Sequence, residues 1–121
     1  MSIKTILLRL PGARRLRRAY RTEKAKRNYK KAVTIADRHY ATTGKRHFVI
    51  MLTNGRLAIY NRQTFREHKK RNFLPNVKDV KMLDLLRDCV YRTPANAQDP
   101  GLPQNEANIR RNQYIYYYST M

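Results

Sequence analysis

The stretch from Ala13 to about Ala41 constrains the fold most strongly, because it contains neither proline nor glycine and is dominated by arginine, lysine and alanine. This composition predicts one long helix, ended by Gly44 as a left-handed cap. Its C-terminal half carries an apolar stripe at helical spacing, made of Tyr29, Ala32, Val33, Ala36 and Tyr40. In its N-terminal half only Leu16 and Tyr20 interrupt the basic residues, so this half is expected to project into solvent or to lie against phosphate.

Charge along the chain is uneven. The 121 residues hold 27 lysines and arginines against 8 acids, a formal net charge of +19. Residues 1–47 carry +13, residues 48–76 carry +5 and residues 77–121 carry +1. A surplus of this size favours a polyanionic partner, and the surface that meets it is predicted in the first third of the chain, with a second patch in the middle.

The first predicted nucleic-acid-binding segment places ten cations within 18 residues, interrupted by a single acid, Glu23. A solvated helix face normally interleaves acids with its cations, because like charges three or four residues apart repel. Arginine predominates at the start of the segment, which suits two-point contacts with phosphate. The segment comprises Arg14, Arg15, Arg17, Arg18, Arg21, Lys24, Lys26, Arg27, Lys30 and Lys31; the second predicted patch comprises Arg62, Arg66, Lys69, Lys70 and Arg71.

The middle of the chain predicts a β-hairpin and two helices. Thr53-Asn54-Gly55 is predicted to hold the turn between strands at 47–52 and 56–60, and Asn-Gly between apolar runs predicts that this turn is of type I′. Asn61 suits the N-cap of a short helix over about 62–72. A second helix is expected over 77–90. Because a hairpin alone is marginal in water, it should pack on these helices.

The last segment is ambiguous. Residues 93–105 contain three prolines and predict a surface loop. From Glu106 to Met121 the pattern allows either a helix, capped by Asn105-Glu106, or a strand, and the helix is favoured. The tyrosines at its end are predicted to contact a protein neighbour, since tyrosine is enriched at interfaces, although stacking on single-stranded nucleic acid is an alternative. They are Tyr114, Tyr116, Tyr117 and Tyr118.

These elements predict an α+β fold, with a long basic N-terminal helix and one β-hairpin packed on two or three helices. Three segments are expected: a basic extension or helix over 1–28, a small α+β unit over 29–92, and a proline-containing loop with a tyrosine-rich end over 93–121. The longest apolar run, 48–52, is far too short to span a bilayer.

No catalytic residue, metal site or cofactor is predicted. The histidines His39, His47 and His68 do not have ligand spacing, and no nucleophile, base and acid form a set. With one cysteine, Cys89, the chain has no intrachain disulfide and no cysteine cluster. No small-molecule substrate is expected.

Part of the middle of the chain resembles small uncharacterised basic proteins encoded by gut bacteria and their phages. The resemblance lies in Ile35 to Ile50, in Gly55-Arg56-Leu57 and in Asn61 to Arg66, together about a quarter of the chain. It contains no catalytic motif and carries over no site residue. It implies a phage or mobile-element origin.

The sequence therefore predicts a non-enzymatic assembly protein of a nucleoprotein particle, such as a phage virion component, that contacts the phosphates of DNA or RNA without reading sequence. Protein neighbours in the particle are further expected partners, with no membrane contact. The expected location is intracellular, in the cytoplasm or inside a virion. The alternative is a free DNA-binding regulator of a phage or mobile element.

Overall fold

A computed structural model describes residues 13–52, 54–70, 87–96 and 98–121, with only the backbone described for Lys69 and Lys70. This part of the chain has an α+β fold, as predicted, with three helices and a three-stranded antiparallel sheet. The elements in order are α1 (Ala13–Thr43), β1 (Phe48–Met51), β2 (Leu57–Tyr60), α2 (Arg62–Lys70), β3 (Tyr91–Arg92) and α3 (Gln104–Thr120).

The predicted hairpin is confirmed, but its turn differs from the predicted type. β1 pairs with β2 so that Met51 faces Leu57. The amide of Gly55 donates to the carbonyl of Leu52 at 2.9 Å, and the amide of Leu52 donates to the carbonyl of Arg56 at 2.8 Å. Gly55 therefore follows the turn with a left-handed φ of 83°. This pattern is a bulged three-residue connection, not the predicted type I′ turn.

The third strand was not predicted. We expected a helix over 77–90, of which 77–86 lies outside the described residues, but the helix ends at Asp88. The amide of Val90 then donates to the carbonyl of Val49 at 2.8 Å, and β3 continues along the free edge of β1. The guanidinium of Arg110 donates to the carbonyl of Cys89 at 2.6 Å. It thus satisfies a carbonyl that the ending helix leaves unpaired.

The two faces of the sheet pack on different helices, because alternate residues of a strand point in opposite directions. On one face Val49 packs against Ala32 and Ala36 of α1. On the other face Phe48 packs against Phe65 of α2, with ring centroids 6.1 Å apart. The sheet thus separates α1 from α2.

Helix α2 begins at the predicted cap. The Oδ1 atom of Asn61 accepts from the amide of Thr64 at 2.8 Å, and the Thr64 hydroxyl accepts from the amide of Asn61 at 2.9 Å. This reciprocal pair satisfies two amides at the helix start. Gly44 ends α1 as predicted, with a φ of 70° and its amide bonded to the carbonyl of Tyr40 at 2.8 Å.

The C-terminal segment is a helix, the favoured of the two predicted alternatives. It begins at Gln104, with Pro103 at the N-cap and no side-chain cap, so the predicted cap at Asn105-Glu106 is wrong. α3 packs on the N-terminal half of α1, where Tyr114 and Ile115 cluster with Ala25 and Tyr29. The core therefore draws on residues both before and after the segment 29–92.

Candidate nucleic-acid interface

The ten predicted cations of the first segment all lie on α1, and we call them the first basic surface. Nine of them are exposed, and Arg21 is half-buried. Lys24, Arg27 and Lys31 follow one another at spacings of three and four, which forms a stripe along the helix. At 3.6 residues per turn, the three side chains lie about 100–160° around the helix axis from the buried Ala25, outside the buried face of α1.

Most of this charge has no counter-charge. Lys26 pairs with Glu23 across 3.3 Å, and both side chains are well exposed. Within the described part of the chain, no carboxylate forms a salt bridge with any other member of the first basic surface. The helix is held in place by its buried face and α3 while it carries eight exposed, unpaired cations, which repel one another in the absence of an anion.

Arg21 anchors the C-terminal end of α3 to α1. Its Nη1 atom donates to the carbonyl oxygens of Tyr118, at 3.4 Å, and Met121, at 3.1 Å. A cation at this position suits the negative end of the helix dipole. Its guanidinium carbon also lies 5.7 Å from the centre of the Tyr118 ring. Arg21 thus has a structural role that the sequence did not indicate.

The four predicted interface tyrosines differ in their exposure to solvent. Tyr114 is only 3% exposed and packs against Tyr29, so it lies in the core and presents no surface to a neighbour. Tyr118 is half-buried beside it. Tyr116 and Tyr117 are 64% and 50% exposed, and their interface role stays a prediction.

Tyr116 lies next to the first basic surface. The guanidinium carbon of Arg18 is 5.7 Å from the centre of its ring. On α1 itself, Leu16 and Tyr20 are each 40% exposed among the arginines. Apolar and aromatic side chains thus interrupt the charge in the N-terminal half of α1, where it meets the end of α3.

A second group of cations borders a cleft of about 760 Å³ between the end of α1 and the start of α2. It contains the predicted Arg62 and Arg66, both exposed, and Lys45, which was not among the predicted residues. We call these three residues the second basic surface. Of the other predicted members, Lys69 and Lys70 lie on α2 without described side chains, and Arg71 lies outside the described residues.

Two acids also line this cleft. Asp99 forms an ion pair with Arg46 across 2.9 Å, so these two charges compensate each other. Glu67 accepts a hydrogen bond of 3.5 Å from Gln63. No salt bridge to Lys45, Arg62 or Arg66 is present in the described regions, so the cleft retains a positive surplus.

The histidines are brought closer than their spacing suggested. The rings of His39 and His47 lie 5.3 Å apart. His47 is buried, and its Nδ1 atom donates to the carbonyl of Lys45 at 2.8 Å. Among the residues that the structure describes, no three histidine, cysteine or acidic side chains form a group that could hold a metal ion.

The cysteine is internal. Cys89 is 2% exposed, and burial raises the pKa of its thiol, while the nearby Arg110 acts in the opposite direction. The thiol therefore stays protonated at neutral pH.

Comparisons with known proteins give no relative to which this surface can be related. No family model matches the sequence, and no curated protein or solved structure matches it. In the regions covered by the structure, no helix combines the length and apolar character required to cross a membrane.

Proposed function

We propose that this protein is a non-enzymatic assembly protein of a nucleoprotein particle, such as a phage virion component, and that α1 contacts nucleic-acid phosphates without reading sequence. The observation that carries the proposal is the first basic surface, where eight exposed cations have no described carboxylate partner. Phosphates at the same surface would relieve the repulsion among these cations and release counter-ions from the nucleic acid.

The composition of the surface favours backbone contacts over base reading. Asparagine and glutamine can recognise a base through two hydrogen bonds from one side chain. Along residues 13–31 only one such residue occurs, Asn28. Asn28 is half-buried, and its side chain lies near the hydroxyl of Tyr114 in α3. The remaining exposed polar groups are almost all arginine and lysine, whose main partners on a duplex are phosphates.

The test is the salt dependence of binding, measured by fluorescence anisotropy with two duplexes of unrelated sequence. Eight phosphate contacts give a slope of about −7 in a plot of log affinity against log salt, and the same affinity for both duplexes. Replacing Arg14, Arg15, Arg17 and Arg18 with glutamine should flatten that slope by about 4 units.

The matched control replaces the same four arginines with lysine, which keeps the charge and should keep the slope. If the wild-type protein binds neither duplex, or binds without salt dependence, the proposal is wrong. A preference of about 10³ for one sequence would instead support a regulator. Sedimentation of the native particle before and after nuclease treatment then distinguishes a packaging component from a protein that binds free DNA.

A further inference from the structure

We propose that the protein bridges two nucleic-acid segments, the first bound along α1 and the second at the second basic surface. This inference rests on the proposed function and adds that the two basic surfaces engage separate duplexes. The evidence for bridging is the placement of the two basic surfaces in the fold, because the sheet lies between α1 and α2.

The two surfaces belong to different layers of the molecule. α1 packs on one face of the sheet through Ala32, Ala36 and Val49. α2, which carries Arg62 and Arg66, packs on the opposite face through Phe65, which contacts Phe48 and Tyr60. The stripe of Lys24, Arg27 and Lys31 lies outside the buried face of α1, and the sheet lies between α1 and α2.

The surfaces are also displaced along the molecule. α1 has 31 residues and is therefore about 45 Å long. The first basic surface extends from Arg14 to Lys31, whereas Lys45 follows the C-terminal end of the helix and lines the cleft beside α2. Lys31, its member nearest to the cleft, is still 12 residues from the end of α1 at Thr43, which is about 18 Å along the helix axis.

Because DNA is stiff, a duplex bound to the first basic surface does not also reach the second. Duplex DNA has a persistence length of about 150 base pairs, so a short duplex on α1 does not bend around a protein of 14.4 kDa to reach the other layer. The second basic surface is then left to a second duplex. Its cleft suits a phosphate backbone, because Lys45, Arg62 and Arg66 form no salt bridge with a described carboxylate and outnumber Glu67, the acid of the cleft lining that is not paired with Arg46.

A capture assay tests bridging directly. One short duplex is fixed to beads, a second fluorescent duplex of unrelated sequence is added in solution, and the full-length protein is titrated. The fluorescence retained on the beads should rise and then fall, because at excess protein each duplex is occupied by separate molecules. Replacing Arg62 and Arg66 with glutamine should lower the retained fluorescence by about tenfold, while the affinity for a single duplex changes by less than about threefold.

The control for this double variant is Arg56→Gln, which removes one exposed cation near the hairpin end, outside both surfaces. Arg56→Gln should retain bridging. If Arg62→Gln/Arg66→Gln still bridges, the second duplex is held in another way, such as by a second copy of the chain bound through its own α1, and the inference is wrong although the proposed function stands. If the wild-type protein binds neither duplex, the proposed function fails as well.

Discussion

The hydroxyl of Tyr91 donates a hydrogen bond of 2.6 Å to Oδ1 of Asp37 and so ties the short strand β3 to the C-terminal part of α1. β3 has only two residues and pairs with β1 along one edge. A strand this short gains little from its ladder alone. The bond to Asp37 therefore adds to the backbone bonds of Val90 and Thr93 in holding β3 in place.

Removing this hydrogen bond should weaken the fold measurably. The change Tyr91→Phe keeps the ring but removes the donor, and we expect the free energy of unfolding to fall by about 1 kcal/mol, because a partly exposed bond to a carboxylate is worth less than a buried one. This change in the free energy of unfolding is measured by urea denaturation, with circular dichroism as the signal. The control is Tyr116→Phe, which alters an exposed tyrosine and should leave the stability unchanged; equal losses in both variants would contradict the role given to Tyr91.

The contact between α1 and the sheet depends on small side chains. Ala36 is fully buried beside Val49. The change Ala36→Leu should force the helix and the strand apart and destabilise the protein by about 1–3 kcal/mol. Ala41→Leu makes the same substitution at an exposed position of the same helix, and its melting temperature should match that of the wild type. A similar melting temperature for both variants would mean that α1 does not approach the sheet closely at Ala36.

The two left-handed glycines should differ in their tolerance of a side chain. A Cβ atom at Gly55 would lie 2.9 Å from Sδ of Met121 and 3.1 Å from a ring carbon of Tyr118, whereas a Cβ at Gly44 meets nothing within 4 Å. Gly44→Ala should therefore cost only the backbone strain, about 1 kcal/mol. Gly55→Ala should cost more, because contact with α3 adds to the same strain. Thermal melts of the two variants test this order, and a smaller loss for Gly55→Ala would contradict it.

Stability should decline in alkaline solution. Burial raises the pKa values of Tyr29, Tyr60, Tyr91 and Tyr114, and for Tyr91 the hydrogen bond to Asp37 adds to burial. The folded protein thus holds these protons more tightly than the unfolded chain, in which tyrosine ionises near pH 10. Their contribution is constant below about pH 10 and is lost as the pH rises further.

The measurement is the urea midpoint at a series of pH values from neutral to alkaline. Titration of the lysines over the same range affects the protein and its variants alike, so the informative quantity is the difference between the wild type and Tyr91→Phe. The wild type should lose stability more steeply above about pH 10. Parallel curves for the two proteins would show that Tyr91 ionises equally in the folded and unfolded states.

The sequence predicted those parts of the fold that local signals determine. The absence of glycine and proline before Gly44, and the Asn54-Gly55 pair between apolar runs, locate α1 and the hairpin through interactions within a few residues. β3 escaped prediction because its pairing depends on Phe48, which faces Arg92 across 44 positions of the chain. Two residues carry no periodic pattern, and only the unpaired edge of β1 makes them a strand.

In the candidate site, too, the features set by neighbouring residues were predicted and those set by distant residues were not. The cations of α1 were predicted because their density is visible in a linear reading. Tyr114 could not be told from Tyr116 or Tyr117, because its burial depends on Tyr29, which lies in a different helix. Lys45 was missed for a similar reason: it joins Arg62 and Arg66 only where the end of α1 meets α2.

The packing of α3 on α1 also affects how the protein is made. Tyr29 is translated early, but Tyr114 and Ile115, which cover it, come near the end of the chain. At about 5–20 residues per second, synthesis leaves that side of α1 uncovered for roughly 4–17 s. Throughout this interval the nascent chain displays an apolar stripe flanked by arginines and lysines. The positive charge around the stripe opposes association between neighbouring nascent chains over the same interval, because like charges repel.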